Sequence, residues 1–408
     1  MQQEKKILTL CSLSHFLTHF FILIFPALLI PMISTLKISG SSVVKISFLM
    51  YLLYGALAIP WGYLSDRFNE KNIMALGTIL GGIGFILAYF STSVTGLQLA
   101  LSITGVGCSA YHPSGLSLIS KGCANRGMAL GINGMFGNLG ISAAPAAAGI
   151  LNYFVGWQTT LLILGILGVL SGIAILAVEI DLSHIKETVS KNTITKDGMV
   201  KLFILFCFAM LASGLMYRGY TTLLPAYFEL ELVALITTIK ISFKEIIKYT
   251  EGIGTLIATL STSFVYIVGM VGQYIGGKVA DRFDLRWSYA IFFLFAFPFL
   301  VLMSLLSGSV VLLMAGLFVL FALGMQPIEN SLVAIVTPEK WRSVSYGVKF
   351  TIVFGGGSFA VGIISILLQS YSIKQTMVFL TFPLAAVIIC AFLVIFATKG
   401  HSIHQRKV

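Results

Sequence analysis

Apolar runs of about 20 residues recur from one end of the chain to the other, separated by short intervals rich in Gly, Ser, Asn, Asp and basic residues. Twelve runs stand out: 7–33, 43–65, 72–91, 95–120, 127–153, 157–178, 200–228, 253–280, 286–306, 309–336, 341–370 and 374–397. Each can cross a hydrocarbon core of about 30 Å as an α-helix rising 1.5 Å per residue. A transmembrane barrel would instead alternate apolar and polar positions in segments of about ten residues. The pattern predicts an all-α integral membrane protein with twelve transmembrane helices. The first run follows Met1 to Lys6, is too long for a signal-peptide core and has no small-residue cleavage pattern behind it, so it is expected to be retained.

Composition sharpens this picture by excluding the alternative. Of 408 residues, 57% are hydrophobic and only 10% charged, with a mean hydropathy of +0.97, whereas soluble domains carry about 25% charged residues. The 41 Asp, Glu, Lys and Arg residues cannot supply polar faces for a two-domain soluble enzyme of this length. Five cysteines have no paired spacing and read as packing residues, with neither a disulfide nor a metal role.

Charge then orients the chain. Scored over alternate loops, one side holds 18 Lys and Arg, the other six, and the remaining two of 26 lie inside spans. Basic residues accumulate in short cytoplasmic segments, so both termini are expected in the cytoplasm. The net charge of +11 is therefore a topology signal with attraction to anionic lipid headgroups; no basic tract with interleaved aromatics suggests nucleic acid. The polar interval 179–199 falls midway and predicts a cytoplasmic linker between two six-helix bundles, 1–178 and 200–397, with a short cytoplasmic tail at 398–408. A second irregular stretch, 229–252, is expected as an outer-side insertion. Lys240, Lys244, Lys248 and Glu251 share one helical face opposite Ile239, Phe243, Ile246 and Ile247, so it reads either as a surface-lying helix or as an extended loop.

The two halves repeat. Gly62-Tyr-Leu-Ser-Asp66-Arg67-Phe68-Asn-Glu-Lys71 follows the second span, and Gly277-Lys-Val-Ala-Asp281-Arg282-Phe283-Asp-Leu-Arg286 follows the eighth at an offset of 215. Pro26 pairs with Pro225 at offset 199, which aligns His19 with Arg218. Arg126 and Gly131 pair with Arg342 and Gly347 at offset 216, which sets Lys349 opposite Asn133.

This repeated Gly-x-x-x-Asp-Arg-Phe-x-x-Lys/Arg loop resembles the signature loop of the major facilitator superfamily. The resemblance covers the whole chain and implies two pseudo-symmetric bundles, a substrate site at the midplane between them, and alternating access by rocking. It implies further that Asp66 and Arg67 hold the cytoplasmic side closed in an outward-facing state, with Asp281 and Arg282 doing the same for the second half. A plain topology anchor is the other reading of these loops. In the fifth span, Gly134-x-x-Gly137-Asn138-x-Gly140, Pro145 and Gly149 resemble the glycine-proline motif of proton-coupled exporters, but Ala143 and Ala144 stand where such exporters have glycine. Tight packing against a helix of the other half is an equal reading.

Ionisable side chains at bilayer depth cost at least about 2.5–3.5 kcal/mol, so each needs a partner, water or a function. Six stand out: His15, His19, His112, Arg218, Glu329 and Lys349. They fall on spans 1, 4, 7, 10 and 11, and by the resemblance the first four of these line the central cavity. Glu329 and Lys349 lie at matching depths, about 10 and 12 Å from the cytoplasmic ends of their spans, and are expected to pair. The pair is either a proton carrier, loaded and released as the cavity opens and closes, or a permanent structural bridge. Arg218 is the candidate for gripping a carboxylate or phosphate. His15 and His19, four apart, share a face and can hold zinc, yet the sequence offers no third ligand, so no metal or cofactor is expected. A proton or substrate role and an ordinary buried pair remain for them. Tyr111, Asn133, Asn138 and Gln326 complete the candidate cavity, and Tyr111, Tyr217 and Tyr220 can stack on an amphipathic solute.

His15 with Pro26, Tyr111-His112-Pro113, and Gly137-Asn138-Leu-Gly140 with Pro145 also look like the fosmidomycin-resistance group of the superfamily. Together these readings predict no enzyme. They predict a monomeric secondary transporter in a bacterial plasma (inner) membrane, in contact with lipids, exporting a small anionic or amphipathic solute with proton coupling. Import of an organic anion or metal chelate is the alternative. An enzyme or sensor is disfavoured because no Walker loop, nucleophile elbow or complete zinc triad is present.

Overall fold

The computed structural model describes residues 2–123, 126–180, 196–242, 252–336 and 347–398, and among these all regular structure is helical. The N-terminal half contains α1 (Gln2–Ala27), α2 (Leu29–Leu36), α3 (Gly40–Ile46), α4 (Phe48–Ala56), α5 (Ala58–Arg67), α6 (Glu70–Tyr89), α7 (Val94–Cys108), α8 (Tyr111–Gly122) and α9 (Arg126–Ala177). The C-terminal half contains α10 (Lys196–Glu231), α11 (Val233–Ser242), α12 (Ile253–Arg282), α13 (Leu285–Leu305), α14 (Val310–Gly324), α15 (Gln326–Val336), α16 (Gly347–Leu367), α17 (Ile373–Phe379) and α18 (Thr381–Ala397). Nine described helices are long and apolar enough to cross a membrane, or ten if α2 and α3–α4, bent by 116°, count as one span.

Proline explains why several expected spans arrive in pieces. α2, α5, α8 and α18 each begin two residues before a proline, Pro31, Pro60, Pro113 and Pro383, and α15 begins one residue before Pro327. Within a helix such a proline would leave a carbonyl unpaired and clash with it. A break just upstream moves it into a first turn, where no N–H is needed. The opposite case is α9, a 52-residue helix that bends at Gly156 (φ 77°, ψ 163°), in a left-handed conformation that favours glycine. It joins the fifth and sixth expected spans without a loop.

Helix starts are set by local caps. Asn69 accepts from the Asn72 amide and Ser93 from the Gly96 amide, while Asp284 accepts from Arg286 and Trp287. The closing cations of the two repeated loops have one job in both halves. Lys71 donates to the carbonyls of Leu176 (2.8 Å) and Val178 (2.9 Å) at the end of α9, and Arg286 donates to the Thr398 carbonyl (2.8 Å) just beyond α18. Each places positive charge on the negative end of the last helix in its half.

The halves meet along α4 with α16 and α9 with α12. A Cβ on Gly55 would lie 1.9 Å from the Gly355 nitrogen, so only glycine permits that contact, and α16 takes a π turn there at Thr351–Gly355. Ser263 Oγ accepts from the Ala146 amide (2.8 Å), and Ser41 Oγ donates to the Ser365 carbonyl (2.6 Å). These contacts run from the middle of the helices to the ends remote from the Asp-Arg-Phe loops. α10 begins at Lys196, inside the expected linker, and 229–242 is helical apart from Leu232. Linker residues 181–195, insertion residues 243–251 and tail residues 399–408 lie outside the described residues.

Candidate functional site

The polar side chains of the helix interiors converge at the seam between the halves. α1 carries His15 and His19 one turn apart. The start of α8 presents Tyr111 and His112, and α9 contributes Asn133. His15 Nδ1 donates to the Asn133 carbonyl (2.8 Å), which turns Nε2 toward His19 Nε2 at 3.1 Å. Tyr111 stacks on His15 (4.7 Å) and donates to Asn133 Oδ1 (2.8 Å). Gly137 makes the room: a Cβ there would lie 2.6 Å from the His15 ring. His112 Nε2 lies 3.1 Å from the Tyr54 hydroxyl, and its ring stacks on Phe350 of the other half at 4.4 Å. Tyr54 in turn stacks on Phe354 (4.8 Å).

Across the seam, Lys349 Nζ and Glu329 Oε1 form a buried ion pair at 2.8 Å. Tyr289 donates to Glu329 Oε2 (3.2 Å) and Asn330 Oδ1 accepts from Lys349, so the pair is held from both sides. Gln326 is turned toward α12, accepting from Gln273 (2.7 Å).

Arg218 on α10 is different. It is 2% exposed, its guanidinium carbon sits 3.8 Å above the Tyr51 ring, and Nε and Nη1 are buried with no hydrogen-bond partner. Among the described residues it forms no ion pair. The hydroxyls of Tyr220 and Tyr266 are also buried and unpartnered, and Tyr266 is within electrostatic reach of Arg218. A cation–π contact offsets part of the cost of burying the guanidinium. It leaves Nε and Nη1 as buried donors, without a partner among the described residues, that oxygens of an anion could accept.

The remaining expected residues are placed as follows. Asn138 is half-buried and makes no hydrogen bond. In the fifth-span motif, Gly140 sits against the Phe16 backbone of the same half and Gly149 against Thr259 of the other. Gly134 faces open space and Pro145 lies within α9. Within this motif Gly149 packs against the other half, whereas Gly137 and Gly140 pack against α1. A Cβ on Gly62 would lie 3.4 Å from the Pro113 side chain, whereas one on Gly277 would meet no neighbouring group within 4 Å among the described residues. Asp66, Arg67, Asp281 and Arg282 are exposed and form no ion pair among the described residues, and Arg67 lies over the Tyr63 ring (4.2 Å).

The sequence reading missed Tyr51, Tyr54, Tyr266, Gln273, Tyr289, Phe350 and Phe354. In a chain with 31 Phe and 15 Tyr, aromatic residues carry no contrast. The one available signal was spacing: Tyr51 and Tyr54 lie three apart, Phe350 and Phe354 four apart, each pair on one helix face.

Comparison with known proteins places this architecture. The sequence profile of the Major Facilitator Superfamily matches residues 9–241, more than half of the chain. The chain belongs to the Major Facilitator Superfamily. Relatives that match are named as transporters, and the chain carries several helices long and apolar enough to cross a membrane. Among relatives in this superfamily, "Probable sulfoacetate transporter SauU" of Cupriavidus necator is 26% identical over 114 residues, 28% of this chain and 26% of that protein. The 4-hydroxybenzoate transporter PcaK of Pseudomonas aeruginosa is 28% identical over 130 residues, 31% of this chain and 29% of that one. Both matches thus span less than a third of the relative. The riboflavin transporter RibZ of Clostridioides difficile is 22% identical across 80% of this chain and 79% of its own. Among solved structures, an inward-facing, occupied bacterial homolog of the human lysosomal transporter Spinster superposes with a TM-score of 0.72 at 16% identity, covering 95% of this chain and 96% of that one. A D-xylose–proton symporter does so with a TM-score of 0.72 at 14% identity, covering 98% and 99%.

Proposed function

We propose that this superfamily member carries a small organic anion across a bacterial inner membrane by alternating access, with Arg218 as the anion-binding residue. The observation that carries the reading is the buried guanidinium whose Nε and Nη1 have no partner. A permanent structural arginine in an apolar interior would be expected to have a carboxylate beside it, because an uncompensated buried charge is costly. Here the fitting partner is a transient one. Relatives named for sulfoacetate and 4-hydroxybenzoate, both anions, agree with that chemistry.

The surrounding residues take roles on this reading. His15, His19, Tyr111, His112, Asn133, Asn138 and Gln326 line the site. Glu329 and Lys349 form the proton-responsive pair, since the carboxylate can take up a proton when the lysine moves away. Asp66, Arg67, Asp281 and Arg282 join when the cytoplasmic side closes. Twelve spans follow if α9 is divided at Gly156, α7 is joined to α8, and α3–α5 form one span. Two six-helix halves, 1–178 and 200–397, are then linked through 179–199, and the 18-to-6 bias of basic residues puts both termini in the cytoplasm. The Tyr111-His112-Pro113 and Gly137-Asn138 motifs favour the fosmidomycin-resistance group and export, and the fold favours a monomer.

Binding of 4-hydroxybenzoate, sulfoacetate and a phosphonate to the purified protein tests the anion assignment. Arg218→Gln is expected to weaken the bound anion by about 100-fold, with Arg218→Lys retaining part of the affinity because it keeps charge without the fork. Undiminished binding in Arg218→Gln, or no anion bound by the wild type, overturns it.

A further inference from the structure

The anion reading gives the three histidines no specific task, yet they are gathered more tightly than a solute-lining wall requires. The four-residue spacing sets His15 and His19 on one face of α1. The helix break that Pro113 imposes brings His112 to the same point. One ring nitrogen from each of the three lies within 4.8 Å of the other two. His15 Nε2 and His19 Nε2 are 3.1 Å apart. Zinc bound to imidazole at about 2.0–2.1 Å in a tetrahedron separates two ligand nitrogens by about 3.4 Å. Two nitrogens therefore already have nearly that spacing, and the third needs a movement on the order of 1 Å.

The outward-facing ring atoms are arranged as those of metal-binding histidines are. Such a histidine donates its second N–H to a carbonyl, carboxylate or other oxygen, which fixes the tautomer and aims the lone pair. His15 does this through Nδ1 to the Asn133 carbonyl (2.8 Å), and His112 can do it through Nε2 to the Tyr54 hydroxyl (3.1 Å). That leaves a lone pair on His15 Nε2 and on His112 Nδ1. The latter atom is buried and has no partner.

We propose that His15, His19 and His112 bind a divalent first-row transition metal, with Zn2+ as the reference ion and a fourth coordination position left for an oxygen of water or of the solute anion. Three neutral imidazoles suit Zn2+, Cu2+, Ni2+ and Co2+ and exclude Mg2+ and Ca2+, which take oxygen ligands. No carboxylate belongs to the set, so the bound ion keeps its full charge. Arg218 is within electrostatic reach of His19, and Lys349 of His112. Lys349 is neutralised by Glu329, but Arg218 is not, so a metal and an anion favour each other at this seam. The site is measurable without any transport assay, and its failure leaves the assignment of Arg218 standing.

Protein purified without a histidine tag is titrated with ZnCl2 by calorimetry and with Co2+ by visible absorption. One Zn2+ per chain is expected, with intense four-coordinate Co2+ bands. His19→Ala and His112→Ala each weaken binding by at least about 100-fold and abolish those bands. The chain's other three histidines, His184, His401 and His404, provide the control: their combined alanine variant binds Zn2+ like the wild type. Arg218→Gln removes a nearby positive charge and tightens Zn2+ by about tenfold, a gain that misfolding cannot produce. No stoichiometric Zn2+ binding, or binding that survives His19→Ala and His112→Ala but is lost in the control variant, overturns the proposal.

Discussion

Glu329, Lys349 and Arg218 are legible because charge in an apolar run is conspicuous, and their chemistry requires a partner or a function. The first two are each other's partner, while Arg218 has only an aromatic face beneath it. What the sequence could not disclose is the set of neutral groups that hold them. Tyr289 and Tyr51 look like any aromatic in a membrane span, and become informative only when a hydroxyl or a ring is seen against a charge. The third metal-competent ligand was hidden for a related reason. His112 is 93 residues from His19, and nothing in linear spacing marks them as neighbours. The buried pair makes a sign-definite prediction. Lys349→Met strands Glu329 and should lower stability by about 3–5 kcal/mol, whereas Glu329→Gln with Lys349→Met should recover most of it. Thermal unfolding in detergent reads the difference. A double variant as unstable as the single one would show that Glu329 and Lys349 are not energetically coupled.

The existence and type of the helices followed from run length alone. Their interruptions did not, since some prolines have a break just upstream and sit in a first turn, while Pro26, Pro145, Pro225 and Pro298 lie inside helices. Gly156 is the converse: it was expected near a loop and instead bends a continuous α9. The repeated loop was read as a latch through its aspartates and arginines. The structure shows a second task in the closing residues Lys71 and Arg286, which tie each loop to the end of its half's last helix. Between halves, α3 and α16 are joined where Ser41 Oγ and Ser365 Oγ lie 3.2 Å apart. Replacing both with cysteine in a background lacking the five native cysteines should give a spontaneous cross-link. Transport should fall at least about tenfold and return on reduction, because a fixed α3–α16 contact forbids one of the two states. Full transport by the cross-linked protein would show that this contact does not open in the cycle.

For the molecule as a whole, the contacts between halves and the polar seam describe, on the proposed alternating-access reading, one of two states. Ser41–Ser365 and Ala146–Ser263 close the side remote from the signature loops, while Asp66, Arg67, Asp281 and Arg282 stand exposed, with no ion pair among the described residues. On the proposed topology this is the inward-facing arrangement, and the loops are parts waiting for the other state. A transporter can be driven only if a second species changes the balance between those states. On the proposed reading Glu329 with Lys349 is the proton-responsive pair, and proton coupling is the claim that follows from it. The most direct measurement is proton movement in everted membrane vesicles carrying a pH-sensitive dye, with phosphonates, organic acids, metal chelates and lipophilic drugs as challenges. The account predicts substrate-evoked proton release by the wild type and none by Glu329→Gln, which still exchanges substrate. Equal proton release by the wild type and Glu329→Gln would contradict it.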